Sequence, residues 1–168
     1  MNIKNGRYEE NGDIIYYKNN KIHRDDDLPA IIQKDGSLQW WINGYPHREN
    51  NPAEIRIDGT KYWYNHGQKH RIGGPAVERS DGTKVWRQYN ELHRLDGPAY
   101  ESLDYKSWYK KGKQHRIGGP AVEHVDGKKE WWIEGKEYSE EEFNHIIEKR
   151  NLNKRLNVSL EIKQKGKR

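Results

Sequence analysis

The chain has 168 residues, enough for one domain of ordinary size, and carries a formal net charge of +5. Hydrophobic residues make up only 32% and charged residues 34%, so the hydrophobic core should be thin. Seven Trp and eleven Tyr argue against disorder, because each buries a large area and keeps a polar group for hydrogen bonding. The absence of cysteine excludes disulfides, iron–sulfur clusters and thiolate metal sites.

The first residues lack the apolar stretch of a secretory signal. No run approaches the roughly 18 apolar residues that a membrane span requires. Together with the lack of cysteine, this predicts a cytoplasmic protein without a transmembrane segment.

A repeat of about 23 residues occupies residues 1–138. One aromatic residue recurs at the same position of each unit, and we call these residues the aromatic column: Tyr16, Trp40, Trp63, Trp86, Trp108 and Trp131. The six repeats are numbered in this order. Seven residues after each of the first five aromatics comes a His-Arg pair, at 23–24, 47–48, 70–71, 93–94 and 115–116. Agreement of several columns at one period makes chance a poor explanation.

Each repeat is predicted to form two strands. In the fourth repeat, residues 76–80 follow a Pro-Ala corner, and Asp81-Gly82 closes a tight hairpin because such dipeptides accept positive φ at little cost. The second strand covers residues 84–88 and carries Trp86, and a second turn precedes the next His-Arg pair. These signals predict tandem β-hairpins.

Strand alternation separates two faces, and the aromatic column should lie on the packed one. The following position points the other way and admits an arginine, so we expect it to be at least partly exposed to solvent. Its members are Tyr17, Trp41, Tyr64, Arg87, Tyr109 and Trp132. An exposed column so rich in aromatics predicts a surface that binds a partner, which we expect to be another protein.

The units resemble MORN-type repeats, as Trp40-Trp41-Ile42-Asn43-Gly44-Tyr45-Pro46-His47 illustrates. Their second half departs from that family, with H-R-x-x-G-P-A in place of H-G-x-G. This variant resembles repeat proteins of phages, large DNA viruses and low-GC bacteria. The resemblance implies an elongated, twisted antiparallel sheet that acts in protein interaction or assembly. It does not imply an enzymatic activity, and no cofactor is expected. Inhibition of a host nucleic-acid-targeting defence complex is an alternative it suggests, and self-association stays open.

The C-terminal part, residues 139–168, is predicted to cap the repeats. Ser139 and Glu142 form a capping box, so a helix should cover about residues 140–150. Residues 156–163 alternate strictly and predict a strand, although Leu152, Leu156 and Leu160 would also suit a helix.

The net positive charge belongs to the C-terminal end. Residues 149–168 have a balance of +7, whereas the other 148 residues have 23 basic and 25 acidic side chains, a balance of −2. A nucleic-acid contact at this end would use Lys149, Arg150, Lys154 and Arg155. The alternative is a solvated basic tail that is disordered from residue 163.

The His-Arg pairs admit a structural and a functional interpretation. A feature present in every unit usually builds the repeat, and the arginines could form bidentate ion pairs with Glu78, Glu101 and Glu123. Alternatively, the pairs form a cationic row for an anionic partner. Equivalent histidines should lie about 10 Å apart, too far to share a zinc ion, so no metal site is expected. No sequence signature for catalysis is present either.

Overall fold

The computed structural model describes the backbone of residues 3–165 and the side chains of residues 3–158. Over this part of the chain the fold is mainly β, with a long antiparallel sheet of consecutive hairpins and one C-terminal helix. The predicted fold class is confirmed.

Most of the strands contain only two residues. In chain order they are β1 (Gly6–Glu10), β2 (Asp13–Lys18), β3 (Lys21–Ile22), β4 (Ile31–Ile32), β5 (Leu38–Gln39), β6 (Trp41–Ile42), β7 (Tyr45–Pro46), β8 (Glu54–Ile55), β9 (Lys61–Tyr62), β10 (Tyr64–Asn65), β11 (Gln68–Lys69), β12 (Val77–Glu78), β13 (Lys84–Val85), β14 (Arg87–Gln88), β15 (Glu91–Leu92), β16 (Tyr100–Glu101), β17 (Tyr105–Ser107), β18 (Tyr109–Lys110), β19 (Lys113–Gln114), β20 (Val122–His124), β21 (Lys129–Ile133) and β22 (Lys136–Tyr138). Fourteen form the long sheet, and the rest form the short hairpins β6–β7, β10–β11, β14–β15 and β18–β19.

The central repeats each contribute two hairpins. In the fourth repeat, β12 and β13 belong to the long sheet, whereas β14 and β15 form a separate short hairpin. The prediction of one continuous strand over residues 84–88 is therefore wrong. The Trp86 N–H donates to the Ala99 carbonyl of the next repeat at 2.8 Å, but the Trp86 carbonyl accepts the His93 N–H of its own repeat at 3.1 Å. The chain changes its pairing partner at the tryptophan.

The core is thin, as the composition predicts. An alanine at the start of each sheet hairpin is completely buried, and these residues are Ala30, Ala53, Ala76, Ala99 and Ala121. Their carbonyls accept the N–H groups of the aromatic column in the preceding repeat. Within that column, Trp40 and Trp63 are each only 7% exposed. Close backbone contact between repeats leaves no room for a larger side chain at the alanine positions.

The helix α1 (Glu140–Lys165) covers the end of the repeats. Its predicted capping box is present, because the Glu142 N–H donates to Ser139 Oγ and the Ser139 N–H donates to the Glu142 carboxylate. Phe143 is 3% exposed, and the first turns contact β21 and β22. A bilayer-spanning helix is absent from the described residues.

The strand predicted for residues 156–163 is wrong, because α1 continues through them. The alternative prediction of a helix, based on leucines four residues apart, agrees with the structure. Leu152 and Leu156 are both exposed on this part of α1. The predicted disorder from residue 163 conflicts with the helix as far as Lys165, and residues 166–168 lie outside the described part.

Candidate binding surface

The arginines of the His-Arg pairs connect each repeat to the next. Each guanidinium lies 3.7–4.0 Å from the ring centroid of its own repeat's aromatic residue and donates to the proline carbonyl of the next repeat; the residues are Arg24, Arg48, Arg71, Arg94 and Arg116. A cation over an aromatic face is attracted by the ring quadrupole. These shared contacts support the structural interpretation of the arginine column.

Three of these arginines also reach the glutamates that the sequence predicts. The Nη1–Oε1 distances are 3.1 Å for Arg71–Glu78, 2.9 Å for Arg94–Glu101 and 2.5 Å for Arg116–Glu123. Each contact uses one arginine nitrogen, so the predicted bidentate geometry is wrong for these pairs, whose guanidiniums are held in place by the ring and the proline carbonyl. Arg48 is bidentate, with Nε and Nη2 at 2.7 and 2.8 Å from the Asp27 carboxylate.

The histidines form a second connection between repeats. The Nδ1 of each accepts a backbone N–H from the short hairpin of the next repeat, at 3.0–3.3 Å; the residues are His23, His47, His70, His93 and His115. An Nδ1 that accepts a hydrogen bond carries no proton, so in this arrangement the ring N–H lies on Nε2. Sequence reasoning missed this role because the acceptor's partner is a backbone group in another repeat.

We expect thermal stability to fall as the pH drops below about 6.5. Burial lowers the pKa of His47 and His115 from 6.5, so the unfolded chain binds protons that the folded chain does not. The stabilisation is complete above the unfolded value of 6.5 and is lost as pH falls through the lower folded values. Melting curves should show the midpoint decreasing by a few degrees between about pH 7.5 and about pH 5.

The matched control is His115→Asn, whose side-chain oxygen can accept the Glu134 N–H without titrating. This variant should show a flatter pH profile than the wild-type protein. A wild-type midpoint that stays constant over the same pH range would contradict the role assigned to the histidines.

A groove of about 300 Å³ lies on the side of the sheet opposite the stacked arginines, between the long sheet and the short hairpins. It is lined by Tyr62, Lys69, Val77, Arg79, Val85, Arg87, Leu92, Tyr100, Tyr105 and Tyr109. Val77 and Val85, each 4% exposed, belong to the fourth repeat. Tyr100 in the fifth repeat occupies the position of Val77, and Tyr62 in the third occupies that of Val85. The groove therefore forms where small side chains stand between tyrosines.

The groove carries positive charge. Among the described residues, Lys69, Arg79 and Arg87 form no ion pair with a carboxylate. Burial lowers the pKa of Lys69, the nearby charge of Arg87 lowers it further, and the Glu54 carboxylate beside the groove acts in the opposite direction. Arg87 donates to the Asn90 carbonyl. A concave surface lined by unpaired cations attracts anionic groups.

Tyrosines form the two sides of the groove. Tyr100 and Tyr105 stack with their centroids 4.9 Å apart, and Tyr62 lies 6.3 Å from Tyr64 on the other side. Burial raises the pKa of Tyr64 to about 12, and burial also raises that of Tyr105. Their hydroxyls consequently stay protonated at neutral pH and remain able to donate hydrogen bonds.

The six residues predicted to bind a partner do not come together at one place in the structure. Only Arg87 and Tyr109 line the groove, and Tyr64 adjoins it through Tyr62. The remaining members, which are Tyr17, Trp41 and Trp132, lie in other repeats and form hydrogen bonds with neighbouring side chains. All six side chains are half-buried, which is less exposure than strand alternation alone predicts.

Sequence reasoning missed Tyr62, Lys69, Arg79, Tyr100 and Tyr105 as groove residues. The signal was available in part, because period-2 alternation places Tyr62 and Tyr64 on the same face.

The four basic residues predicted for nucleic-acid contact lie apart from the groove. Lys149, Arg150, Lys154 and Arg155 are exposed on α1. The positive charge of Arg150 contributes to lowering the pKa of His115, which is a minor effect beside burial. Within the described residues, no group of three His, Cys, Asp or Glu side chains could hold a metal ion.

The fold is that of a tandem-hairpin repeat protein, and its sheet carries a cationic groove lined by tyrosines. No protein-family model matches the chain, and no curated protein matches it either.

Proposed function

We propose that this protein is a non-enzymatic scaffold that binds another protein on the groove side of its sheet. The observation that carries the proposal is the groove itself, where tyrosines and cations without carboxylate partners lie on one face of the sheet. Tyr and Arg are the residue types enriched where protein interfaces are strongest. In this proposal the column from Tyr17 to Trp132 extends the binding surface to the other repeats.

The resemblance to MORN-type repeats adds support for a role in protein interaction. A phage or viral origin, action on a host factor and a cytoplasmic location rest on sequence reasoning and remain part of the proposal. Nucleic-acid binding through α1 is the second candidate, favoured by the exposed basic residues Lys149 and Lys154.

The test replaces Tyr64, Tyr109 and Trp132 together with Ser. Proteins captured by the wild-type chain from an extract of its native host are identified, purified and measured for direct binding. We expect the triple variant to lose binding, because the apolar contact area of three aromatic rings is removed. The matched control carries Phe at the same three positions, keeps most of that area and should still bind.

Both variants must first give the circular dichroism spectrum of the wild-type protein, since the replaced side chains are half-buried. Retained binding by the folded Ser variant would exclude this surface. If its spectrum shows unfolding, the test uses Arg87→Ala in the same column, which should weaken binding because it removes a positive charge of the groove.

A further inference from the structure

We infer that the groove binds a short acidic segment of the partner protein in an extended conformation. This deepens the proposed function and rests on it, since it specifies the chemistry that the scaffold recognises. The inference depends on three features of the groove: which repeats carry its cations, how long it is, and what charge surrounds it.

Two of the three cations of the groove, Lys69 and Arg87, depart from the repeat pattern, whereas the position of Arg79 also holds an arginine, Arg56, in the third repeat. The position of Lys69 holds Ile22, Pro46, Leu92, Gln114 and Glu137 in the other repeats. The position of Arg87 is aromatic in all five other repeats. Side chains that build the repeat recur in it, as the stacked arginines on the opposite face do. Lys69 and Arg87 do not recur, so the architecture of the sheet does not require them.

The length of the groove suits a short segment. It extends from Tyr62 on β9 to Tyr105 on β17, across the neighbouring strands β12, β13 and β16. Five adjacent strands span about 19 Å, which an extended chain covers with about six residues. Carboxylates spaced along such a segment can reach Lys69, Arg79 and Arg87, and the tyrosine hydroxyls can donate to carboxylates or to backbone carbonyls.

The surrounding charge favours a peptide over a long nucleic acid. Beyond the groove the same face carries carboxylates, namely Glu54 in the third repeat next to Tyr62, and Glu130 and Glu137 in the sixth. The chain up to residue 148 has a balance of −2. A polynucleotide running along the sheet would meet these negative charges, whereas a segment of a few residues would contact only the cationic part.

The experiment measures fluorescence anisotropy of a labelled peptide of alternating Glu and Ser against the full chain at low salt. The groove variant replaces Lys69, Arg79 and Arg87 with Gln. The matched control replaces Lys84, Lys106 and Lys129, which lie on the opposite side of the sheet, and so removes the same amount of charge. We expect the groove variant to lose about tenfold or more in affinity, and the control to lose no more than about twofold.

Three results would overturn the inference. The peptide could fail to bind the wild-type protein, or both variants could lose affinity equally, which would indicate nonspecific attraction. An oligothymidylate could also bind more tightly than the peptide and depend on the same three groove cations, which would make the ligand a nucleic acid. If the acidic peptide fails while the captured partner still requires Tyr64, Tyr109 and Trp132, the proposed scaffold function stands and only the acidic chemistry is wrong.

Discussion

Replacing Trp63 with Ala should lower the free energy of unfolding by about 3–5 kcal/mol. The indole is 7% exposed, and the Arg71 guanidinium lies 3.9 Å from its ring centroid. Removing the ring leaves a cavity in a thin core and takes away the surface against which the arginine stacks. Urea denaturation of the full chain measures the loss, and a change below about 1 kcal/mol would contradict the importance of the column.

The indole nitrogens provide a matched comparison. Trp63 Nε1 is buried without a hydrogen-bond partner among the described residues, whereas Trp40 Nε1 donates to the Asp27 carbonyl at 2.9 Å. Both Phe variants lose similar volume, but only Trp40→Phe also loses a hydrogen bond. We therefore expect Trp40→Phe to be the more destabilising by about 1 kcal/mol. Equal losses would indicate that the Asp27 bond contributes nothing.

The second large effect is expected at the stacked arginines. Arg71→Ala and Arg116→Ala should each cost about 1–3 kcal/mol of stability, because the proline carbonyl loses its donor and the indole loses its cover. The ion pairs to Glu78 and Glu123 add little, since the partners remain partly exposed. Arg87→Ala should change stability by no more than about 0.5 kcal/mol. Thermal melts of the three single variants compare them directly.

Much of the fold could be predicted because it follows from local rules. Asp-Gly turns, Pro-Ala corners and strand alternation indicate hairpins wherever they occur, and the repeat period shows that each hairpin has the same neighbours. The capping box at Ser139 is likewise contained in four residues. Pairing of Arg71 with Glu78 was predictable because the two occupy fixed positions in adjacent units.

The remainder depends on contacts between repeats that no local pattern encodes. Nothing in residues 84–88 indicates that Trp86 changes its pairing partner, since the reason is the Ala99 carbonyl of the next repeat. The groove arises from the absence of large side chains at Val77 and Val85, which becomes visible only when equivalent positions are compared across repeats. The segment 156–163 fits both a strand pattern and a helix pattern, so its sequence alone could not distinguish the two structures.

The central claim is that one side of the sheet holds the repeats together and the other binds the partner. The most direct test measures the affinity of the purified partner for Arg71→Ala, below the melting temperature of that variant, alongside its thermal melt. The account predicts a lower melting temperature with affinity within about twofold of wild type, because Arg71 lies opposite the groove. An Arg71→Ala variant that melts like the wild-type protein yet loses the partner would show that the His-Arg column is the binding surface.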